Sequence, residues 1–185
     1  MMRFGRILPR SFYARPTAEV ARGLLGKVIV HGPAAGIIVE TEAYPGGDDL
    51  ASHSARGVTN RTRVIFGPPG HAYVYLIYGM YEMFNIVVEP KDSPAAVLVR
   101  ALEPLPPLEG GTDGPGKLCR ALAINRAHNG ADLVGGATVW LERRNRKRVN
   151  VKTTPRIGVD YAGEWAKKPW RFVDADSPWL SKKLK

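Results

Sequence analysis

Two carboxylates one residue apart, Glu40 and Glu42, are the first place in this chain where chemistry could sit. They end the apolar run Gly36-Ile37-Ile38-Val39, and Tyr44 follows two positions on. Strand side chains alternate between faces, so Ile38, Glu40, Glu42 and Tyr44 are expected to share one side. Burying a carboxylate is costly unless it is paired or hydrogen-bonded. Alone, the run reads as a strand leaving the core, with its acids solvated or bridged to arginine. If the remaining chain encloses one of them, that carboxylate must be paired or put to use, as a general acid or base could be.

Other constellations narrow the chemistry. His31, His53, His71 and His128 show neither HxH nor HExxH spacing and no cysteine pair, so no metal site is expected. Gly111-Thr112-Asp113-Gly114-Pro115-Gly116-Lys117 imitates the first positions of a phosphate loop. Leu118 then stands where Ser or Thr must ligate magnesium, and no apolar strand precedes the run, so a nucleotide cofactor is not expected. Two readings remain for that turn: a helix-start loop, or Lys117 and backbone N–H groups meeting one phosphate. The run from His71 to Val88 holds two β-type stretches around Tyr78-Gly79-Met80, a hairpin with glycine in its turn. On it Tyr73, Tyr75, Ile77 and Tyr81 are expected on one face, with Tyr78 at or near the turn. A tyrosine-rich strand pair and an aromatic wedge for a base stack both fit.

The elements that must position these residues suggest an α+β chain. Ser11 to Leu25 reads as a cap and helix, with Thr17 ahead of Ala18-Glu19-Val20 and Val20, Leu24 and Leu25 on one face. Lys27 to Val30 and Gly36 to Tyr44 read as antiparallel strands around His31-Gly32-Pro33. Ala95 to Leu102 is a further strand, ending at Pro104 and carrying Arg100. Lys117 to Asn125 reads as a short helix, and Thr138 to Leu141 as strand-like. At 185 residues one domain is expected. The formal charge of +10, from 27 Lys+Arg against 17 Asp+Glu, favours a polyanion partner. Arg56, Arg61, Arg63 and Arg100 flank the aromatics, which suits nucleic acid better than a membrane, since no amphipathic basic helix is visible. The cluster Arg143 to Arg148 reads as a solvated loop. A single cysteine, Cys119, excludes an intrachain disulfide. No run approaches the roughly 20 apolar residues of a membrane helix, and Met1 to Arg15 lacks a signal-like stretch, so an intracellular, soluble protein is expected; nothing demands more than a monomer.

Val39-Glu40-Thr41-Glu42-Ala43-Tyr44, His53-Ser54, Tyr75-Leu76-Ile77-Tyr78-Gly79-Met80-Tyr81 and Asn85 together resemble the alkyladenine (3-methyladenine) DNA glycosylases. So do Leu98-Val99-Arg100-Ala101-Leu102-Glu103-Pro104, Gly116-Lys117-Leu118-Cys119 and Ala162-Gly163-Glu164-Trp165-Ala166. The ordered series runs from about Ala21 to Ser181. The resemblance implies one α+β domain over residues 1–185, with a curved, mostly antiparallel sheet, surrounding helices and a hairpin that inserts into DNA. It implies hydrolysis of the N-glycosidic bond of damaged purines flipped out of double-stranded DNA. Residue by residue, it implies Glu42 as the general base and Arg100 beside the attacking water. Tyr44, His53 and Tyr75 become walls of a base pocket, and Asn85 opposes the exocyclic amine of normal guanine. Tyr78 fills the gap left in the stack, while Lys117 and the Ile157-Gly158 turn meet the DNA backbone. Thr59-Asn60-Arg61-Thr62 departs from the family pattern, with Asn60 where proline is expected.

An alkylated purine cation is already a good leaving group, so such an enzyme needs little acid catalysis. Stacked tyrosines attract a cationic ring by about 0.5–2 kcal/mol per contact. Flipping costs a few kcal/mol of stacking, least at damaged sites. Glu40 is assigned no catalytic role and no lysine serves as a Schiff-base nucleophile, so strand cleavage is not expected. Two rivals stand beside this reading: a non-catalytic damage-binding protein, and a nucleoside hydrolase that would need neither Tyr78 nor the basic surface.

Overall fold

The computed structural model describes residues 4–144 and 149–184. Its frame is one curled antiparallel sheet of eight strands in an α+β arrangement with few helices. The strands are β1 (Val28–His31), β2 (Ala34–Tyr44), β3 (Ala72–Ile77), β4 (Tyr81–Val88), β5 (Ala95–Leu105), β6 (Val139–Glu142), β7 (Val151–Thr154) and β8 (Arg171–Asp174). The main order is β3-β4-β5-β2-β1-β6, and β8 joins β2 to β7.

The glutamate strand β2 is central because it has two successive neighbours along one edge. Its first half pairs with β1, from Val28 opposite Ile37 to His31 opposite Ala34. Its second half pairs with β8, placing Arg171 opposite Glu42. Along the other edge β5 accompanies it throughout, but the register shifts between Ile38 and Glu40 and again before Thr41. This irregularity reverses the simple alternation. Ile38 packs into the main core with Leu24, Ala43 and Leu102, on the side where the Thr41 hydroxyl donates to Ala21. Glu40, Glu42 and Tyr44 face the other way. The expected common face of Ile38 and the two acids is therefore wrong, and a bulge is the reason: one extra residue flips everything beyond it.

The helix expected from Ser11 to Leu25 is broken in two, α1 (Arg10–Tyr13) and α2 (Thr17–Leu24). Pro16 separates them, since it lacks an N–H and holds its predecessor extended. Thr17 does not cap α2; the cap residue is Pro16 and the Thr17 hydroxyl bonds Glu89 instead. Val20, Ala21 and Leu24 are fully buried against the sheet, each large one contributing about 1.5–3 kcal/mol. Gly26, at φ 79°, reverses the chain into β1.

Strand β5 continues through Pro104, which lies opposite Gly36 rather than ending the strand. The third helix, α3 (Pro115–Ala121), begins and ends earlier than the Lys117 to Asn125 expected. Strands β7 and β8 fall in stretches where no strand was expected. Of the basic cluster, residues 145–148 lie outside the described residues. No helix is long and apolar enough to cross a membrane among the described residues.

Candidate active site

Glu42 stands with no exposed surface on the face of β2 opposite α2. Three donors converge on it. Its Oε2 accepts from the Tyr44 hydroxyl at 2.8 Å and from Arg100 Nη1 at 3.2 Å, and its Oε1 accepts from the Ile157 backbone N–H at 2.8 Å. These partners come from β2, from the bulged region of β5 and from the turn after β7, so only the folded sheet brings them together. Burial discourages charge on Arg100, but Glu42 and Glu40 outweigh that and hold its guanidinium above its ordinary value. Burial, then the Glu42 charge, pushes the Tyr44 hydroxyl well above the usual tyrosine value, so it stays a donor.

In front of these groups lies a cavity of about 120 Å³. Tyr44, Arg100 and Ile157 are part of its wall, and Glu42 sits directly behind them. His53, Tyr75, Asn85 and Gly158 also line it. The aromatic side is tightly packed: His53 meets Tyr75 at 4.5 Å between ring centres, and Tyr73 meets Tyr75 at 5.2 Å. His53 Nδ1 is 3.0 Å from the Tyr73 hydroxyl. Burial lowers the imidazole to about 4, with Arg61 and Arg56 adding to the effect, so His53 is neutral at pH 7. Arg61 lies over the Tyr75 ring at 4.8 Å. Asn85 Nδ2 donates to the carbonyls of Tyr73 and Met83, both at 3.2 Å, which locks the buried amide in place.

Besides Glu42 behind the wall, two residues of the predicted set, Tyr78 and Lys117, fall outside this cavity. Tyr78 is at the tip of the β3–β4 hairpin with φ 52° and 83% of its surface exposed, immediately after the cavity-lining Ile77. Lys117 is on α3, its ammonium 3.1 Å from Asp113. Gly158, at φ 74°, allows the turn that aims the Ile157 N–H inward. Ile157 and Gly158 were expected against DNA backbone; in the structure the Ile157 amide is spent on Glu42.

The sequence reading missed a buried ion pair that braces the cavity from behind its lining. Arg156 is bidentate to Asp49 at 2.6 and 2.8 Å, both side chains fully buried, and it also donates to the carbonyls of Ala43 and Trp165. Its guanidinium lies 4.6 Å from the centre of the Tyr44 ring and 4.9 Å from that of Trp170. One ion pair thus ties the loop carrying His53 to the turn carrying Ile157. The residues are 107 apart in sequence, a separation no local pattern reveals. Tyr161 and Met83, also unforeseen, are among the further lining residues. Among the described residues no group of three or more His, Cys, Asp or Glu side chains could hold a metal ion.

The family described as methylpurine-DNA glycosylase matches residues 11–178. A protein of Methanocella arvoryzae is 50% identical over 197 residues, covering 96% of both chains. One of Anaeromyxobacter dehalogenans strain 2CP-C is 53% identical over 180 residues, covering 95% of this chain and 86% of its own. One of Legionella pneumophila strain Corby is 48% identical over 181 residues, covering 96% and 99%. All three are provisionally named 3-methyladenine DNA glycosylase. With its site geometry and this near full-length similarity, the chain belongs to the methylpurine-DNA glycosylase family.

Proposed function

We propose that this protein, acting as one intracellular catalytic domain over residues 1–185 and as a monomer, hydrolyses the N-glycosidic bond of damaged purines in double-stranded DNA and so opens base-excision repair. The observation that carries this is the Glu42 carboxylate, enclosed beside Arg100 directly behind a cavity walled by aromatic rings.

The base enters the cavity after leaving the stack, with Tyr78 at the hairpin tip occupying the space it vacates. The hairpin turn puts a large, exposed ring where packing on its own sheet gains nothing. Tyr44 and Tyr75 hold a cationic purine through their π faces, and neutral His53 adds no repulsion to a positively charged ring. Asn85, locked by two backbone carbonyls, cannot swing aside for the exocyclic amine of normal guanine. Lys117 and the outer side of the Ile157-Gly158 turn meet the DNA backbone.

As the bond between the base and sugar C1′ breaks, its electron pair leaves with the purine, which departs neutral if it was alkylated to a cation. A water oxygen attacks C1′ and its proton passes to Glu42. The ionised carboxylate also stabilises the oxocarbenium-like sugar. Four acceptor directions exist on a carboxylate and three are taken by protein donors, leaving one on Oε1 for water. Since Glu42 has no exposed surface in the free protein, the arriving base must first displace a covering group.

The test is base release from duplex oligonucleotides, each bearing 3-methyladenine, 7-methylguanine, hypoxanthine or ethenoadenine at one position. Release of at least one, leaving an intact strand with an abasic site, is expected. Tight binding without release would identify a damage-binding protein, and release from free nucleosides alone would identify a nucleoside hydrolase.

A further inference from the structure

Glu40, which the reaction above does not use, is completely buried and is the centre of a second hydrogen-bonded cluster. The chain after β8 folds back beneath β2 to supply it. Ser181 donates its backbone N–H to Glu40 Oε2 at 2.6 Å and its hydroxyl to Oε1 at 2.7 Å. Arg171 Nε donates to the same Oε1 at 2.7 Å, while its other nitrogens hold the Lys182 carbonyl at 2.5 Å and the Thr154 hydroxyl at 3.1 Å. The cluster meets the active site in one side chain. Arg100 Nε is 3.3 Å from Ser181 Oγ and 3.2 Å from Glu40 Oε1, and Arg100 Nη1 reaches Glu42.

A guanidinium is planar and rigid, so anchoring Nε fixes the direction in which Nη1 points. Charge adds a second constraint. Glu40, Glu42, Arg100 and Arg171 form a buried set of two anions and two cations, and removal of one member leaves an opposite charge without its partner. Ser181 lies beyond residues 11–178, where the family match ends.

We infer that Glu40 and Ser181 are positioning residues, through which the C-terminal segment aims Arg100 at Glu42. This rests on Glu42 being the base. Without the Ser181 hydroxyl, Arg100 Nε is held by Glu40 alone, which itself loses a donor, so the guanidinium plane is less firmly fixed and the Glu42 carboxylate shifts with it. Small misplacements of reacting groups are expensive, up to about 100-fold in rate for 1 Å.

The experiment uses the full chain with Ser181→Ala, Ser181→Thr and Glu40→Gln, and a duplex carrying whichever lesion the wild type releases. Single-turnover release at saturating protein is measured beside DNA affinity, together with hydrogen exchange of the Arg100 Nε–H by NMR. Ser181→Ala is expected to slow release by about tenfold, to leave affinity within about twofold, and to speed exchange of the Arg100 Nε–H. Ser181→Thr, which keeps the hydroxyl, restores both. Ser181→Ala is the decisive variant because its change is confined to one hydroxyl; Glu40→Gln removes a buried charge and can unfold the chain. Wild-type release and wild-type Nε–H protection in Ser181→Ala would overturn the inference while leaving the glycosylase reading intact. A wild type that releases no base from any lesion would overturn that reading, and this inference with it.

Discussion

Replacing Glu42 by glutamine tests the site most directly, because the change is nearly isosteric and its cost can be worked from the contacts. The carboxylate accepts from three donors: the Tyr44 hydroxyl, Arg100 Nη1 and the Ile157 N–H. An amide has only one oxygen. If that oxygen faces Tyr44 and Arg100, the new NH₂ opposes the Ile157 N–H. If it faces Ile157, the NH₂ opposes the Arg100 guanidinium, while the Tyr44 hydroxyl can rotate to accept. The first arrangement is cheaper, since a neutral donor rather than a cation loses its partner. It leaves both the Ile157 N–H and the new NH₂ without an acceptor, at about 1–3 kcal/mol for each group. Arg100 also loses one of its two anionic partners, keeping Glu40. A total near 3 kcal/mol lowers Tm by about 6–12 °C for a chain of this size. Removing a general base slows the chemical step by about 10²–10⁴. The assays are calorimetry and single-turnover base release at saturating protein, the latter well below the variant's Tm. A Glu42→Gln protein that melts with the wild type and releases base at the wild-type rate would refute the assigned base and its hydrogen-bond network together.

Three further outcomes are expected. Asp49→Asn breaks a pair in which both side chains are fully buried; about 3–5 kcal/mol of stability is lost, read as a fall in the urea midpoint, and base release slows because the Tyr44 and Ile157 supports loosen. Tyr78→Gly leaves Tm unchanged or slightly raised, since the ring is 83% exposed and φ is 52°; it slows release from a paired lesion but not from the same lesion in a single strand, and equal slowing on both would dismiss the wedge. The last concerns pH. The unfolded chain binds the His53 proton near 6.5 and the folded chain only near 4. Stability from a neutral His53 is therefore fully present above about pH 6.5 and falls as pH drops toward 4. The full shift corresponds to about 3 kcal/mol, reduced to roughly 1–2 because His53 is partly exposed and screened by solvent. His53→Gln is expected to lose that much less stability between pH 7.5 and 4.5 in urea titrations, and an equal loss in both proteins would remove the assigned cause.

Much of the site is legible in the sequence, for local reasons. A strand that runs from Ile37 into Glu40 and Glu42, a hairpin whose tip is Tyr78-Gly79, and tyrosines two apart on β3 are all consequences of side-chain alternation and turn chemistry, which act over a few residues. The same locality explains the errors. Pro16 split a helix that periodicity alone had joined, and Pro104 sits within β5 although its ring removes only one donor. The bulge before Thr41 is a property of two strands at once, so alternation along β2 placed Ile38 on the wrong face.

The sequence by itself determined which residue types were available for the reaction and the short elements that carry them: the acids of β2, the aromatic hairpin, Arg100, and a surplus of positive charge suited to DNA. Only the tertiary structure shows which groups enclose each acid. Glu40 and Glu42 lie two positions apart on one strand, yet one meets Ser181 and Arg171 while the other meets Tyr44, Ile157 and Arg100 Nη1. The reason is physical: a buried carboxylate takes its character from the donors that enclose it. Here Tyr44 comes from β2 itself, and the other donors arrive from β5, β8 and two later turns, across separations of 58 to 141 residues.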